Sequence, residues 1–407
     1  MISMKKIESA LVVALSGLAV SVFFSQTGTD AFGLTSLALL LIWRFSPGYK
    51  PAGKLPKSLI IITAIFLLNI AVSTFISVNK AEGIGQLWKI RNMLLGGLLF
   101  TCPLGDKKRE QVMTAFLLGA FFSGLIGIFQ HFGILFNMAD RAHGFTHPIY
   151  YSAILTFPCA AAILLLLSRS SFERSGWRRY LLIASIIATF GGILFSQSRG
   201  EWVALFASSV IVLFLYDRRK AAIPIFSATA ALILVFSLNG TLRTRATSIV
   251  TSIGSEDYRG STGNRLELWK AALLMYEKSP ILGVGIGDWR TSIDRLIAEG
   301  KVKPVLTKPH AHNMFFQTLS TEGTAGFIIL IAFLFVLFRW GASLIKDHGG
   351  IAVYVIIFCT LLVIIGGLTE ICIGESKYFA EYCLMIGLFG GYLPETLRSV
   401  SPARRED

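Results

Sequence analysis

The 407-residue chain is 54% hydrophobic and only 15% charged, with a mean hydropathy of +0.65. A single soluble core of this length would need far more polar residues to cover its outside, which excludes a soluble globular enzyme as well as a fibrous or disordered chain. The 38 Lys and Arg against 24 Asp and Glu leave +14; on a soluble protein that would suggest nucleic acid, but on a membrane protein it first suggests basic cytoplasmic loops.

A hydrocarbon core about 30 Å thick needs roughly 20 apolar residues per helix. Twelve stretches qualify, near 8–25, 30–45, 57–78, 84–102, 110–131, 149–168, 179–197, 201–216, 222–238, 313–338, 350–371 and 376–394. The first follows Lys5 and Lys6, but Val22-Phe23-Phe24-Ser25-Gln26 offers no small-x-small cleavage site, so an uncleaved first helix is expected. Twelve spans put both termini on one side. With the amino terminus inside, 21 Lys and Arg fall in the inner segments, among them Lys107-Lys108-Arg109 and Arg218-Arg219-Lys220. The five short outer loops hold four: Lys80, Arg141, Arg199 and Lys377. That asymmetry obeys the positive-inside rule. The expected fold is all-α, a polytopic transmembrane helix bundle of about 12 spans. Helices one to nine occupy 1–238, one large outer loop 239–312, helices ten to twelve 313–394, and an inner tail 395–407. The five cysteines lie in or beside apolar runs without CxxC spacing and read as small core hydrophobes.

The loop at 239–312 breaks the charge pattern with 11 Lys and Arg in 74 residues; long loops escape the rule, so it can be basic for its own reasons. Within it, 264–278 carries apolar residues at helical spacing and stops at Ser279-Pro280, and 287–300 forms a second short amphipathic helix. Gly283-Val284-Gly285-Ile286-Gly287 joins them. No strand precedes it and its spacing is wrong for a nucleotide loop, so it reads as a hinge.

Ionisable groups at a membrane are costly and usually functional. Pro309-His310-Ala311-His312-Asn313 stands where the loop enters span ten. Two histidines at i and i+2 can ligate a metal, but a tetrahedral site needs two more ligands, and no Asp-x-Asp pair is present. A general base is the functional reading, since imidazole titrates near neutrality; histidines that only cap a helix start are the plain alternative. Arg141, Arg199 and Arg265 lie on the outer side, and guanidinium groups match phosphate oxygens bidentately. Snorkelling to headgroups, or pairing of Arg199 with Glu201, is the bland alternative. Lys89, Arg91 and Glu381 are expected to pair across the bundle, and Glu370, Glu375 and Lys377 surround the last outer turn. Intramembrane carboxylates also suit a proton-coupled transporter, which should show two halves with matched broken helices.

His312-Asn313, nine residues to Glu322, then Gly323-Thr324-Ala325-Gly326 resembles the His-[Asn/Ser/Gln]-x9-Gly-x-x-[Gly/Thr/Tyr] signature of bacterial O-antigen ligases. Their wider superfamily includes O-antigen polymerases and protein O-oligosaccharyltransferases. About twelve helices and a large periplasmic loop just before the motif fit the same family. The resemblance implies an inner-membrane, inverting glycosyltransferase without metal or cofactor. It would move a glycan from undecaprenyl pyrophosphate to a hydroxyl of lipid A-core at the periplasmic face, with both termini cytoplasmic. It implies His312 as the essential histidine, Arg199 in Gln-Ser-Arg-Gly-Glu and Arg265 in Thr-Gly-Asn-Arg-Leu as arginines toward pyrophosphate, and Arg141 in Arg-Ala-His-Gly as a third. His310 and Asn313 would support His312, and Glu370 stands where some ligases have Asp. Glu322 lies nearly three helical turns from His312, which favours helix packing over direct pairing. A polymerase or protein O-oligosaccharyltransferase remains an alternative within the superfamily, and a transporter or flippase of a lipid-linked substrate outside it.

Overall fold

The computed structural model describes residues 4–52, 54–135, 141–168, 172, 176–217, 261–305, 308–346 and 350–391. The expected span 222–238, the first part of the outer loop and the tail 395–407 lie outside the described residues. Among the described residues there is no strand. The first nine helices are α1 (Met4–Phe24), α2 (Gln26–Arg44), α3 (Lys57–Ile76), α4 (Lys80–Lys89), α5 (Asn92–Thr101), α6 (Asp106–His131), α7 (Pro148–Leu167), α8 (Gly176–Phe195) and α9 (Arg199–Tyr216). After the undescribed stretch come α10 (Ser261–Lys278), α11 (Trp289–Ala298), α12 (Met314–Lys346), α13 (Gly350–Gly366) and α14 (Ser376–Gly390). Seven of these, α1, α3, α6, α7, α8, α9 and α12, are long and apolar enough to cross a membrane, and α13 is a shorter apolar helix. The protein is an all-helical, multi-pass membrane protein, and α10 and α11 fall on the two amphipathic stretches.

The expected span 84–102 is two helices. Each of α4 and α5 has 10 residues, about 15 Å long, or half the hydrocarbon thickness. The break falls at Ile90-Arg91, where two charges in three residues disfavour burial in lipid. Arg91 pairs with Asp30 of α2 and lies over the Trp88 ring. It therefore does not pair with Glu381, whose two carboxylate oxygens are buried with no hydrogen-bond partner among the described residues. The expected Lys89–Arg91–Glu381 network does not form.

Burial separates core from lipid face. Most residues of α7 and α13 and all but one of α14 are buried, whereas α3 exposes Ile60, Ile61, Leu68 and Phe75. A helix apolar all round must face core or lipid, and these sort cleanly. The outer helix α3 meets α12 through stacked Phe66 and Phe333 rings, 4.9 Å apart. All five cysteines are free and buried, as expected of core hydrophobes.

The two ends of the bundle carry different polar groups. At one, Lys108 bonds Glu8 (2.6 Å) and Arg178 bonds Glu110 (2.7 Å). Arg109, wholly buried, donates to the carbonyls of Cys102, Leu104, Gly387 and Leu388 at 2.8–3.2 Å. It thereby caps the carboxyl ends of α5 and α14, so one member of the basic cluster at 107–109 is a packing element. At the far end of α8 lie the segments that carry the histidines and outer arginines.

Candidate active site

Four short segments meet at that end: 141–147 before α7, 196–198 between α8 and α9, 309–313 before α12, and 367–375 between α13 and α14. Arg141 ties the first two, donating from Nε to the Ser196 carbonyl (2.8 Å) and from Nη2 to Ser198 Oγ (3.2 Å). Asn313 ties the last two. Its Oδ1 accepts from the Phe315 and Phe316 amides, as a helix cap should, while its Nδ2 donates to the Leu368 carbonyl (2.9 Å). Trp269 of α10 donates to the Ala311 carbonyl (3.1 Å) and stacks on Phe316, so the amphipathic loop helix holds the histidine segment down. Gly200 is required by close approach: a Cβ there would lie 2.3 Å from Thr369 Oγ1. That contact brings the start of α9, with Arg199 and Glu201, beside Glu370.

Glu370 is the centre of the cluster, 3% exposed. Its Oε2 lies 3.0 Å from His312 Nδ1 and its Oε1 3.2 Å from His310 Nε2; Oε1 also accepts from the Ile371 amide (3.1 Å). Burial raises the carboxyl, but the hydrogen bond from His312, the charge of both rings and the Ile371 amide outweigh it and hold Glu370 below the ordinary value. Burial, joined by the charges of His312, Lys89 and Arg265, pushes His310 down to about 4 against the pull of Glu370. His310 is therefore neutral near pH 7. Its Nδ1 accepts the His312 amide (3.1 Å), so its proton sits on Nε2, within reach of Glu370 and of the Tyr150 hydroxyl at 2.8 Å. His312 donates from Nδ1 to the carboxylate, which leaves Nε2 as an unprotonated acceptor when the ring is neutral. That is the arrangement of an oriented general base.

Two non-glycine residues in the described chain have left-handed backbones, His312 (φ 49°) and Gln197 (φ 55°). Each conformation costs about 1–2 kcal/mol, and both fall in segments that build this site. Arg199 and Arg265 are half-buried, at the starts of α9 and α10. The charge of Arg265 acts on both Glu201 and His310.

His310, His312 and Glu370 each offer one ligand atom, all within 4.8 Å of one another. They are the residues that could hold a metal among those described, though their facing atoms are already hydrogen-bonded in pairs. Glu322 is not the partner of His312; its carboxylate accepts from Asn69 of α3. Sequence reasoning missed Tyr150, whose one visible signal is a hydroxyl in the first turn of an apolar helix after His147-Pro148.

Residues 183–331 match the O-antigen ligase family model. Over those residues, just over a third of its length, the chain is similar to the O-antigen ligase family. The match covers Arg199, Arg265 and the whole His310–Asn313 segment, and leaves Arg141, Tyr150 and Glu370 outside. The chain is also similar to an uncharacterized protein of Haemophilus influenzae, 24% identical over 277 residues that cover 65% of this chain and 67% of that one. The three motif positions have distinct settings: His312 lies against Glu370, Asn313 caps α12, and Gly323 is a left-handed break in α12 at φ 67°.

Proposed function

We propose that this protein is an O-antigen ligase: an inverting, metal-independent transferase that moves a glycan from undecaprenyl pyrophosphate to a hydroxyl of lipid A-core. It would act at the periplasmic face of the inner membrane. The observation that carries the reading is the His312–Glu370 pair at 3.0 Å, beside the arginine at the start of α9. In the reaction, His312 Nε2 takes the proton of the acceptor hydroxyl as its oxygen attacks the anomeric carbon. The bond from that carbon to the pyrophosphate oxygen breaks on the opposite face, and the pyrophosphate leaves with the bonding electrons. Glu370 stabilises the imidazolium formed and holds its tautomer. Arg199 and Arg265, with the amino end of α9, balance the charge that develops on the leaving group. Arg141 fixes the α8–α9 turn that presents Arg199 and adds its own charge there. His310, neutral, orients Glu370 and the acceptor side of the site, and Asn313 sets the backbone of His312.

Purified full-length chain in detergent, supplied with lipid-linked glycan and lipid A-core, is expected to transfer glycan in the presence of EDTA. His312→Ala should remove at least the 10²–10⁴-fold that a positioned base contributes. Loss of transfer on chelation would overturn the metal-free mechanism. Longer lipid-linked chains with lipid A-core left bare would make the protein a polymerase instead.

A further inference from the structure

Beside His310 opens a cavity of about 270 Å³, enough for about one sugar ring and bordering none of Arg141, Arg199 and Arg265. Its floor is apolar, formed by Phe66 and Ile70 of α3 and Leu330 of α12. Its walls near the site are His310 and Tyr150, the hydrogen-bonded pair described above. Its mouth is charged: Lys89 and Glu82 from α4, Arg290 from α11 and Glu375 from the last turn. Neither Lys89 nor Arg290 makes an ion pair within 4.0 Å among the described residues, although the charge of Lys89 reaches both His310 and Glu375. Gln86 and Gln317 add amide donors and acceptors.

This lining separates two kinds of ligand. A pyrophosphate, carrying two or more negative charges, is matched by clustered guanidinium groups, and those lie outside the cavity. Two cations, two carboxylates and two amides around the mouth carry no net charge, while Glu322, the third carboxylate of the lining, is buried and already engaged by Asn69. They offer donors and acceptors together, which suits the hydroxyls of a saccharide with a single anionic substituent. We propose that this cavity is the acceptor subsite, in which Lys89 and Arg290 select a sugar bearing a phosphate or carboxylate and present its hydroxyl past His310 to His312. The break between α4 and α5 then has a purpose: it keeps α4 at the membrane surface, where Lys89 can face an aqueous ligand. The inference rests on the transferase reading above, but binding can test it without turnover.

The full-length chain in detergent is titrated with core oligosaccharide released from lipopolysaccharide, phosphorylated or phosphatase-treated, with no donor present. Wild type is expected to bind the phosphorylated form roughly tenfold more tightly, the range of one charge-assisted hydrogen bond. Lys89→Gln and Arg290→Gln should each weaken that form by a similar factor and leave the treated form unchanged, with Arg290→Lys retaining part of the preference. In parallel turnover, the acceptor KM should rise in the glutamine variants while the donor KM does not. No binding, equal binding of both forms, or a change confined to the donor KM would overturn the proposal. Selective binding without any transfer by wild type would leave the subsite standing and reject the transferase reading.

Discussion

Glu370 touches two histidines from a turn 58 residues beyond His312, and its negative charge is what the base needs as it gains a proton. Replacing it by Gln keeps the shape but removes the charge and can reverse the tautomer of His312. Glu370→Gln is therefore expected to cut kcat by roughly 10²–10⁴-fold, as loss of a triad carboxylate does, with a much smaller change in donor KM. A KM effect alone would make Glu370 a binding group. His310 sets a pH dependence of stability. Its folded value, about 4, lies below the ordinary histidine value of 6.5, so between those values the unfolded chain binds the additional proton. Stability then falls as pH drops through that window, by on the order of 1–3 kcal/mol, and thermal unfolding should occur at lower temperature at pH 5 than at pH 7. His310→Gln should flatten the slope. Little of this was legible in advance: the histidine pair announced itself by spacing, but a carboxylate 58 residues away and the hydroxyl of Tyr150 carry no local mark.

At the scale of elements, the break in α12 explains why a motif glycine sits ten residues past Asn313. Gly323 has φ 67° and ψ −166°, and a Cβ on it would lie 2.3 Å from the Ile281 carbonyl oxygen. The chain at 280–285 enters that break. Thr324 and Ala325 donate to the carbonyls of Pro280 and Ile281, while Val284 and Gly285 donate to those of Ser320 and Thr321, all at 2.8–3.1 Å. On the other side Ile286 and Gly287 donate to the hydroxyls of Ser73 and Ser77 of α3, and Asp288 accepts from the Val78 and Asn79 amides. The glycine-rich segment expected as a hinge is a clamp between α3 and α12, with its backbone groups paired on both sides. Its glycines answer to close contact: a Cβ on Gly283 would lie 2.3 Å from the Glu322 amide nitrogen. Gly323→Ala is expected to destabilise the protein by about 2 kcal/mol or more, since it combines a left-handed backbone with a backbone clash. Thermal unfolding in detergent checks this, and an unchanged melting temperature would mean the break can close.

For the molecule as a whole, the expectation is that the basic end of the bundle faces the cytoplasm and the histidine end the periplasm. The cysteines supply a clean test, because all five are buried and free. Lys301→Cys, on the exposed residue after α11, should react with a membrane-impermeant maleimide added to cells with a permeabilised outer membrane. Lys107→Cys, exposed at the start of α6, should react only after the inner membrane is broken. The reverse pattern would invert the topology and place the site on the wrong side for a periplasmic acceptor.

By itself the sequence determined which stretches are apolar enough to leave water, that two short helices lie in the described part of the outer loop, and that His310 and His312 stand just before a helix, though not that 84–102 breaks in two. These follow from transfer free energies and local spacing, which are properties of neighbouring residues. Tertiary structure alone decided that Arg91 turns to Asp30 and leaves Glu381 without that partner, that Arg109 caps two helix ends, and that Glu322 belongs to Asn69. It also decided that Glu370 joins both histidines. A buried polar group takes whichever partner packing brings within about 3 Å, and in a bundle of helices that partner is set by which faces meet, at separations along the chain that no local pattern encodes.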